Sequence, residues 1–339
     1  MGDVGWQELS LGGHSPAGEA FQEFQRLLKA LAQRGVVLAI ASKNEESVAL
    51  EAIRMHPEMV LRIDDFGAWR INWRDKAQNI AELAMELNVG LDSMVFIDDN
   101  KVERARVREA LPDVLTPEWP PDPRLYPATL RSLDCFDKAS VTTEDRKRSA
   151  MYAAARRREE TKASVGSIED WLQSLDIRVT TEDVGRANIG RLVQLLNKTN
   201  QMNLSTRRMN EQEFHAWIGS GNRRIWLFRV QDKFGDSGIT GILSVEAAEG
   251  RGRIVDFILS CRVMGCRIEE AMLHVAVSWA RHMRCTKLEA PYVATAKNKP
   301  CLEFLCRSGL ERGDDDTFVW DNNTEYPLPS VVRLVAVCS

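Results

Sequence analysis

Two apolar runs near the start of the chain end abruptly in polar side chains, and this pattern narrows the possible folds more than anything else in the sequence. Val36–Ile40 reads as a buried strand and runs into Ala41-Ser42-Lys43-Asn44. Met94–Ile97 reads as another, with Asp98, Asp99 and Asn100 at its tip. Helical periodicity fills the space around them: Phe21, Phe24, Leu27, Leu28 and Leu31 over 20–34, then Glu45–Met55, Asp75–Leu87 and Val102–Ala110, with a short strand at Met59–Arg62. Strands and helices that alternate through short links predict a parallel α/β sheet. Such sheets take ligands at the carboxyl ends of their strands. Adjacent carboxylates there suit a hard cation such as Mg²⁺, which takes oxygen ligands and bridges to phosphate. The Ser42 hydroxyl and the Lys76 ammonium suit the phosphate itself. Asp98 and Asp99 also read as the N-terminal cap of the next helix. Lys43 and Asn44 read either as pocket residues or as a polar loop.

Pro112 to Pro127, with Pro-Glu-Trp-Pro-Pro-Asp-Pro at its centre, reads as an extended connector. Thr142–Lys162 reads as a charged, solvated bridging helix. After Ser167 come a strand (Ile177–Val184), helices at Ala187–Asn197 and Asn210–Ile218, and a meander of Arg224–Val230, Gly238–Val245 and Arg253–Leu259. The helix Glu269–His282, the strand Lys287–Val293, the helix Pro300–Arg307 and the strand Thr317–Trp320 complete the order.

The order Ser42, Lys76, Asp98-Asp99 resembles motifs II, III and IV of the haloacid dehalogenase (HAD) superfamily. LAIASKNEESV (38–48), HPEMVLRIDDF (56–66), INWRDKAQNI (71–80) and FIDDNKVERARVREALP (96–112) resemble one branch of it, the FkbH-like proteins. The element order after Ser167 resembles the acyltransferase fold called GNAT, which follows the HAD part in that family. The resemblance thus implies an α/β chain: a HAD-like (Rossmannoid) parallel sheet, then a GNAT-like α+β domain. Expected boundaries are 1–135, a connector helix over 136–166, the GNAT-like domain over 167–325 and a tail over 326–339. The family's first strand carries an Asp-x-Asp nucleophile motif in the middle of the sheet. Residues 1–20 contain neither a strand nor that motif, and Asp3 does not substitute for it. The resemblance therefore places the first strand upstream of Met1, and an impaired site is expected.

By the resemblance, Asp98 orients Mg²⁺ directly or through water, Asp99 supports it or positions the neighbouring Lys, Lys76 neutralises phosphoryl charge, Ser42 hydrogen-bonds a phosphoryl oxygen and Asn44 lines the pocket. GNAT enzymes grip a pyrophosphate or pantetheine on an Arg/Gln-x-x-Gly-x-Gly/Ala turn before a helix. Arg262, Gly265 and Arg267 fit half of that pattern, and its second small position is held by Cys266. Arg262, Gly265 and Arg267 are the candidate ligand-binding residues of the turn. Cys261 is a candidate nucleophile, activated by Arg262 and a helix N-terminus; a buried core cysteine is the alternative. The amide-rich stretch Leu196–Arg208 resembles a Lys-Thr-Asn-Gln signature of the family, which makes Asn200 and Gln201 candidate substrate contacts; a helix end and loop is the alternative. Lys297-Asn298-Lys299 offers a grip for an anionic ligand. His274 reads as structural, and the tryptophans, Trp69, Trp73, Trp171, Trp217, Trp226 and Trp279 among them, as core.

The resemblance implies a glyceryl-loading enzyme. It takes an acyl phosphate, 1,3-bisphosphoglycerate, removes phosphate and passes the acyl group to the phosphopantetheine thiol of an acyl carrier protein, feeding polyketide assembly. Two alternatives stand beside it: a non-catalytic relative that binds a carrier protein, and a GNAT acyltransferase that uses coenzyme A. Composition bears on partners and compartment. A net charge of −4 gives no electrostatic case for nucleic acid. No apolar run approaches the ~20 residues of a membrane span. Seven scattered cysteines without a C-x-x-C pair, and no signal peptide, lead to the expectation of reduced thiols in the cytoplasm.

Overall fold

The computed structural model describes residues 11–336 apart from 14, 88, 138–147, 165, 200 and 220. The chain divides into two compact units, Met1–Arg156 and Arg157–Ser339. No helix among the described residues is long and apolar enough to cross a membrane.

The first unit opens on α1 (Pro16–Gln33). Ser15 caps it, its Oγ accepting the Gly18 N–H at 3.0 Å, and Pro16 starts the first turn, where a missing N–H does no harm. Then follow β1 (Leu38–Ser42), α2 (Glu46–Met55), β2 (Phe66–Ile71), α3 (Lys76–Glu86), α4 (Lys101–Ala110) and α5 (Tyr126–Arg131). β1 and β2 pair in parallel, from Leu38 opposite Phe66 to Ser42 opposite Ile71. Two strand expectations are corrected here. Met59–Arg62 is not a strand: the Val60 and Leu61 N–H groups donate to Gln25 Oε1 at 2.9 and 3.0 Å, so α1 takes the bonds a ladder would need. Met94–Ile97 forms only an isolated parallel bridge, Val95 to Leu115. Among the described residues no strand pairs with the β1 edge opposite β2.

The proline-rich stretch is not an extended connector either. It turns at Pro123–Leu125 into α5 and packs Trp119, Tyr126 and Leu130 onto the apolar face of α1. Phe24 meets Trp119 edge-on at 5.7 Å, and Phe21 meets Tyr126 likewise at 5.7 Å. Trp73, expected in a core, is 72% exposed in the loop that leads from β2 to α3.

The expected bridging helix is α6 (Arg148–Ser164), and it is not simply solvated. Met151, Ala153, Ala154 and Arg158 are buried. In the first unit, Tyr152 Oη donates to Leu87 O at 2.8 Å and Arg156 lies 4.5 Å over the Trp69 ring. In the second, the Arg158 guanidinium is buried against the Asp232 carboxylate and Ser237 Oγ, and Trp171 Nε1 donates to Arg158 O at 3.1 Å. The second unit therefore begins before residue 167.

Its elements are α7 (Ile168–Ser174), β3 (Ile177–Glu182), α8 (Ile189–Lys198), β4 (Met202–Asn203), α9 (Glu211–Ile218), β5 (Arg223–Asp232), β6 (Gly235–Ala248), β7 (Arg251–Leu259), α10 (Ile268–His282), β8 (Lys287–Pro291), α11 (Lys299–Arg307), β9 (Glu311–Arg312), β10 (Thr317–Asp321) and β11 (Val332–Ala336). The sheet order is β11-β3-β5-β6-β7-β8-β10-β9, with β4 added to β7. Two of its pairs, β11 with β3 and β7 with β8, are parallel. The expected tail supplies β11, and Tyr326 within it is buried, its Oη donating to Ser308 O at 2.8 Å. One face of the sheet packs on α10 and α11 through residues such as Phe257, Met272 and Phe304. The other packs on α8 and α9 through Leu192, Leu196, Phe214 and Ile258.

Candidate functional site

In the first unit β1 ends at Ser42, whose carbonyl accepts the Asn72 N–H at 3.0 Å and so holds the strand ends together. Lys76 opens α3 directly after its cap, Asp75, whose carboxylate accepts the Ala77 N–H at 3.0 Å. That bond and, after it, the Arg106 guanidinium hold the Asp75 carboxyl below its usual range. Ala41, Ala77 and Phe96 share one apolar cluster. Ser42 adjoins Ala41, Lys76 adjoins Ala77 and Asp98 lies two residues beyond Phe96, so the three stand on segments that this cluster packs together.

Lys76 Nζ lies 2.6 Å from Asp98 Oδ2, with side chains 12% and 6% exposed. The second oxygen, Asp98 Oδ1, accepts the Asn100 N–H at 2.8 Å. Behind them Arg104, buried in α4, donates from Nη1 to Asp98 O at 2.8 Å and Asp99 O at 3.0 Å. Asp99 itself is exposed. Asn44 Oδ1 accepts the Glu45 N–H at 2.7 Å, and Lys43 pairs with Glu103 at 2.6 Å. Sequence reasoning missed Arg104, because an arginine inside a helix as polar as α4 carries no sign of burial. It also missed the fully buried Asn79, whose Nδ2 donates to Asn72 Oδ1 at 2.9 Å and tethers α3 to the end of β2.

Mg²⁺ in phosphate sites is commonly held by one or two carboxylates plus the phosphate and water. Asp98 fits as one such ligand once Lys76 turns to the phosphate. Among the described residues no group of three His, Cys, Asp or Glu side chains converges on a metal position.

The second site is the turn from Ser260 to Arg267. Ser260 N–H donates to Thr240 O at 2.8 Å, and a single 3₁₀ turn, Cys261–Val263, follows. Cys261 is half-buried. It does not sit at the N-terminus of α10, because the 3₁₀ turn and the Met264–Arg267 loop intervene. The Arg262 guanidinium donates to Ser260 Oγ at 3.2 Å. Gly265 is exposed with φ +75°, and nothing crowds the position a Cβ would take. Arg267 is left-handed at φ 59° and pairs with Glu270 at 3.0 Å. Burial pushes the Cys266 thiol up to about 12. Glu269 is the residue that sequence reasoning overlooked. It is 1% exposed, and its Oε1 accepts the Gly265 N–H at 2.8 Å.

Asn200 lies outside the described residues, and Gln201 is half-buried. Asn203 is fully buried and structural: Nδ2 donates to Thr199 O at 2.9 Å and Oδ1 accepts the Thr206 N–H at 2.8 Å. Asn298 is likewise buried, so its expected grip on an anion is replaced by bonds within the fold. His274 accepts its structural reading, with Nδ1 2.7 Å from Tyr326 O.

The fold is now defined by its two sheets. The chain joins a HAD-like sheet to a GNAT-like domain. No protein-family model matches it, and no curated protein does. Among solved structures it is similar to the N-terminal part of the protein BF1531 from Bacteroides fragilis, which contains a phosphatase domain complexed with Mg. The identity is 46% over 41% of this chain and 37% of that one, with a TM-score of 0.40. It is also similar to a domain from Methanocaldococcus jannaschii, at 12% identity over 42% of this chain and 96% of the other, TM-score 0.34. The PaiA N-acetyltransferase from Thermoplasma acidophilum, in complex with coenzyme A, is 11% identical over 42% of this chain and 96% of its own, TM-score 0.30. The chain thus spans 37% of the length of the B. fragilis structure.

Proposed function

We propose that the first unit acts on an acyl phosphate, with 1,3-bisphosphoglycerate as the substrate expected from the FkbH-like resemblance, and that the acyl group passes to the phosphopantetheine thiol of an acyl carrier protein in polyketide or related biosynthesis. The observation that carries this reading is the buried Lys76–Asp98 pair, 2.6 Å apart, at the carboxyl end of the sheet. Lys76 would leave Asp98 for the phosphoryl oxygens, Asp98 would offer Oδ2 to Mg²⁺, and Ser42 would donate to the phosphate. Mg²⁺, when bound, neutralises phosphoryl charge. The 46% identity to a phosphatase domain complexed with Mg supports that ion here. In the transfer the thiol sulfur attacks the acyl carbon and the carbon–oxygen bond to phosphate breaks. Phosphate leaves with the electron pair, and the thiol proton passes to it. Cys261 is the proposed protein thiol on the way to the carrier.

The carboxylates around the pair favour a second reading. Asp98 is engaged by Lys76 and Asn100, Asp75 by Ala77 and Arg106, and Glu103 by Lys43. None of these three stands ready to attack phosphorus, as a covalent aspartyl phosphate requires. A carrier-binding protein without turnover would show that arrangement.

One experiment separates the two. Phosphate release from acetyl phosphate is followed with Mg²⁺ present and absent, beside binding of a carrier protein. The first reading expects Mg²⁺-dependent release that falls at least ~100-fold in Asp98→Asn and in Lys76→Ala, the range typical of lost electrostatic contacts. Release that ignores Mg²⁺ or both substitutions would remove this site from the chemistry. Carrier binding with no release would establish the second reading.

A further inference from the structure

β7 and β8 run parallel but pair only over Arg251–Arg253 and Lys287–Glu289. Beyond that point the β7 edge parts from β8. A parallel pair that opens toward its carboxyl end, with a helix N-terminus following, is a general place for a ligand and its anionic group. An extended arm built of amides would add to such an edge as a strand does, and its phosphates would take the N–H groups of the turn.

Here the chain's own groups hold both places. Met202 and Asn203 pair antiparallel with Leu259 and Ile258. The Leu204 N–H donates to Phe257 O at 3.1 Å, and Ser205 Oγ to Val255 O at 2.9 Å. Ile258 and Leu259 pair on their other edge with Ile242 and Gly241 of β6, so residues 202–205 lie on the β8 side. The far side of the segment is closed too. Leu204 O accepts the Val293 N–H at 3.0 Å, and Asn203 O accepts from Asn298 Nδ2 at 2.9 Å. Met202, Asn203 and Leu204 are 1%, 0% and 0% exposed. At the turn, the Gly265 N–H that would receive a phosphate donates to the Glu269 carboxylate at 2.8 Å.

We infer that the wedge between β7 and β8 is closed to coenzyme A and to a carrier-borne phosphopantetheine arm, residues 202–205 holding the place of the arm and Glu269 that of the phosphate. Acyl transfer by this unit, where it occurs, uses a thiol bound outside the wedge. The inference sets aside the coenzyme A-dependent alternative and is independent of the chemistry of the first unit.

The test is binding, not turnover, so phosphate release does not enter it. The full chain is titrated with coenzyme A and, separately, with phosphopantetheine, read by calorimetry, melting temperature and amide exchange at Leu204 and Val293. We expect no saturable heat, no rise in melting temperature, and slow exchange at both amides with and without ligand. Saturable binding of coenzyme A, with exchange at Leu204 altered, overturns the closure for the free cofactor; the same result with phosphopantetheine overturns it for the carrier arm. Inorganic pyrophosphate tests the anion's place. It is expected to raise the melting temperature of Glu269→Ala, which frees the Gly265 N–H, and to leave the parent chain and Glu269→Gln unmoved. Stabilisation of the parent, or none in a folded Glu269→Ala, overturns the assignment to Glu269. If Glu269→Ala fails to fold, the titrations of the parent chain decide.

Discussion

Glu269 carries a carboxyl almost sealed from water at the start of α10, and the consequence is a pH dependence with a definite sign. Burial, and after it the neighbouring Glu270, pushes its pKa from 4.5 up to about 7, although the Gly265 N–H, its own N–H and Arg307 pull the other way. The folded state then binds a proton more tightly than the unfolded state. The stabilisation is complete below pH 4.5 and is lost as the pH rises through about 7. A shift of this size corresponds to about 3 kcal/mol between the two limits. Glu269→Gln keeps an oxygen for the Gly265 N–H and has no charge to bury. Its urea midpoint is expected to match the parent near pH 4.5 and to exceed it above pH 7; equal midpoints at both pH values would contradict the assignment. At the other site, Lys76 and Asp98 form a pair that must be removed together or not at all. Lys76→Met leaves a buried carboxylate without its cation and is expected to cost about 3 kcal/mol. The double variant with Asp98→Asn should recover most of that loss in a thermodynamic cycle, and a sum of independent losses would refute the coupling.

At the scale of elements, helices and antiparallel strands of the second unit were legible because their signals are local. Glu269–His282 was expected as a helix and α10 spans Ile268–His282; Arg253–Leu259 was expected as a strand and β7 spans Arg251–Leu259. The first unit was harder to read. Met59–Val60–Leu61 is apolar enough for a strand, but whether a strand forms depends on what meets its N–H groups, and Gln25 does. β2 was hidden because Gly67 and Arg70 interrupt its apolar run. Val332, Leu334 and Ala336 alternate as a strand should, yet at the end of a chain nothing in the sequence says that β3 lies waiting as a partner. Ser42 and Lys76 were legible as candidates because they stand at the end of β1 and the start of α3, and Asp98 because it closes an apolar run. Glu269 and Asn298 were not, since only tertiary neighbours give them a role. Asn298 shows how much hangs on such a residue. Its Oδ1 accepts from Tyr292 Oη at 2.7 Å and the Thr295 N–H at 2.8 Å, and its Nδ2 donates to Asn203 O at 2.9 Å and Val293 O at 2.8 Å. Asn298→Ala leaves these buried groups without a partner and is expected to cost about 3 kcal/mol. The same variant should speed amide exchange at Leu204. Normal stability and unchanged exchange would show that β4 is held without it.

For the whole molecule the two units differ most in how their cores are built. In the second, one cluster joins α7, α10, α11 and both ends of the sheet, and most of its members are 0–1% exposed. In the first, the buried apolar residues fall into separate clusters of three to five residues, and the paired sheet among the described residues is two strands wide. A strand pair draws independent stability from further strands or from helices packed on it, and α1, α3 and α5 supply that packing in small patches. Stability therefore should not be uniform along the chain. The first unit is expected to unfold at lower temperature or denaturant than the second, giving two transitions in place of one. Limited proteolysis followed by mass spectrometry locates the division. Early cuts should fall before Arg156, and the surviving fragment should begin close to Arg157, keeping Arg158 with Asp232 and Trp171. A fragment that begins near residue 167 instead would mean that the end of α6 contributes little to the second core. A single cooperative transition, with cuts spread evenly over both units, would show that the small clusters of the first unit are as stable as the continuous core of the second.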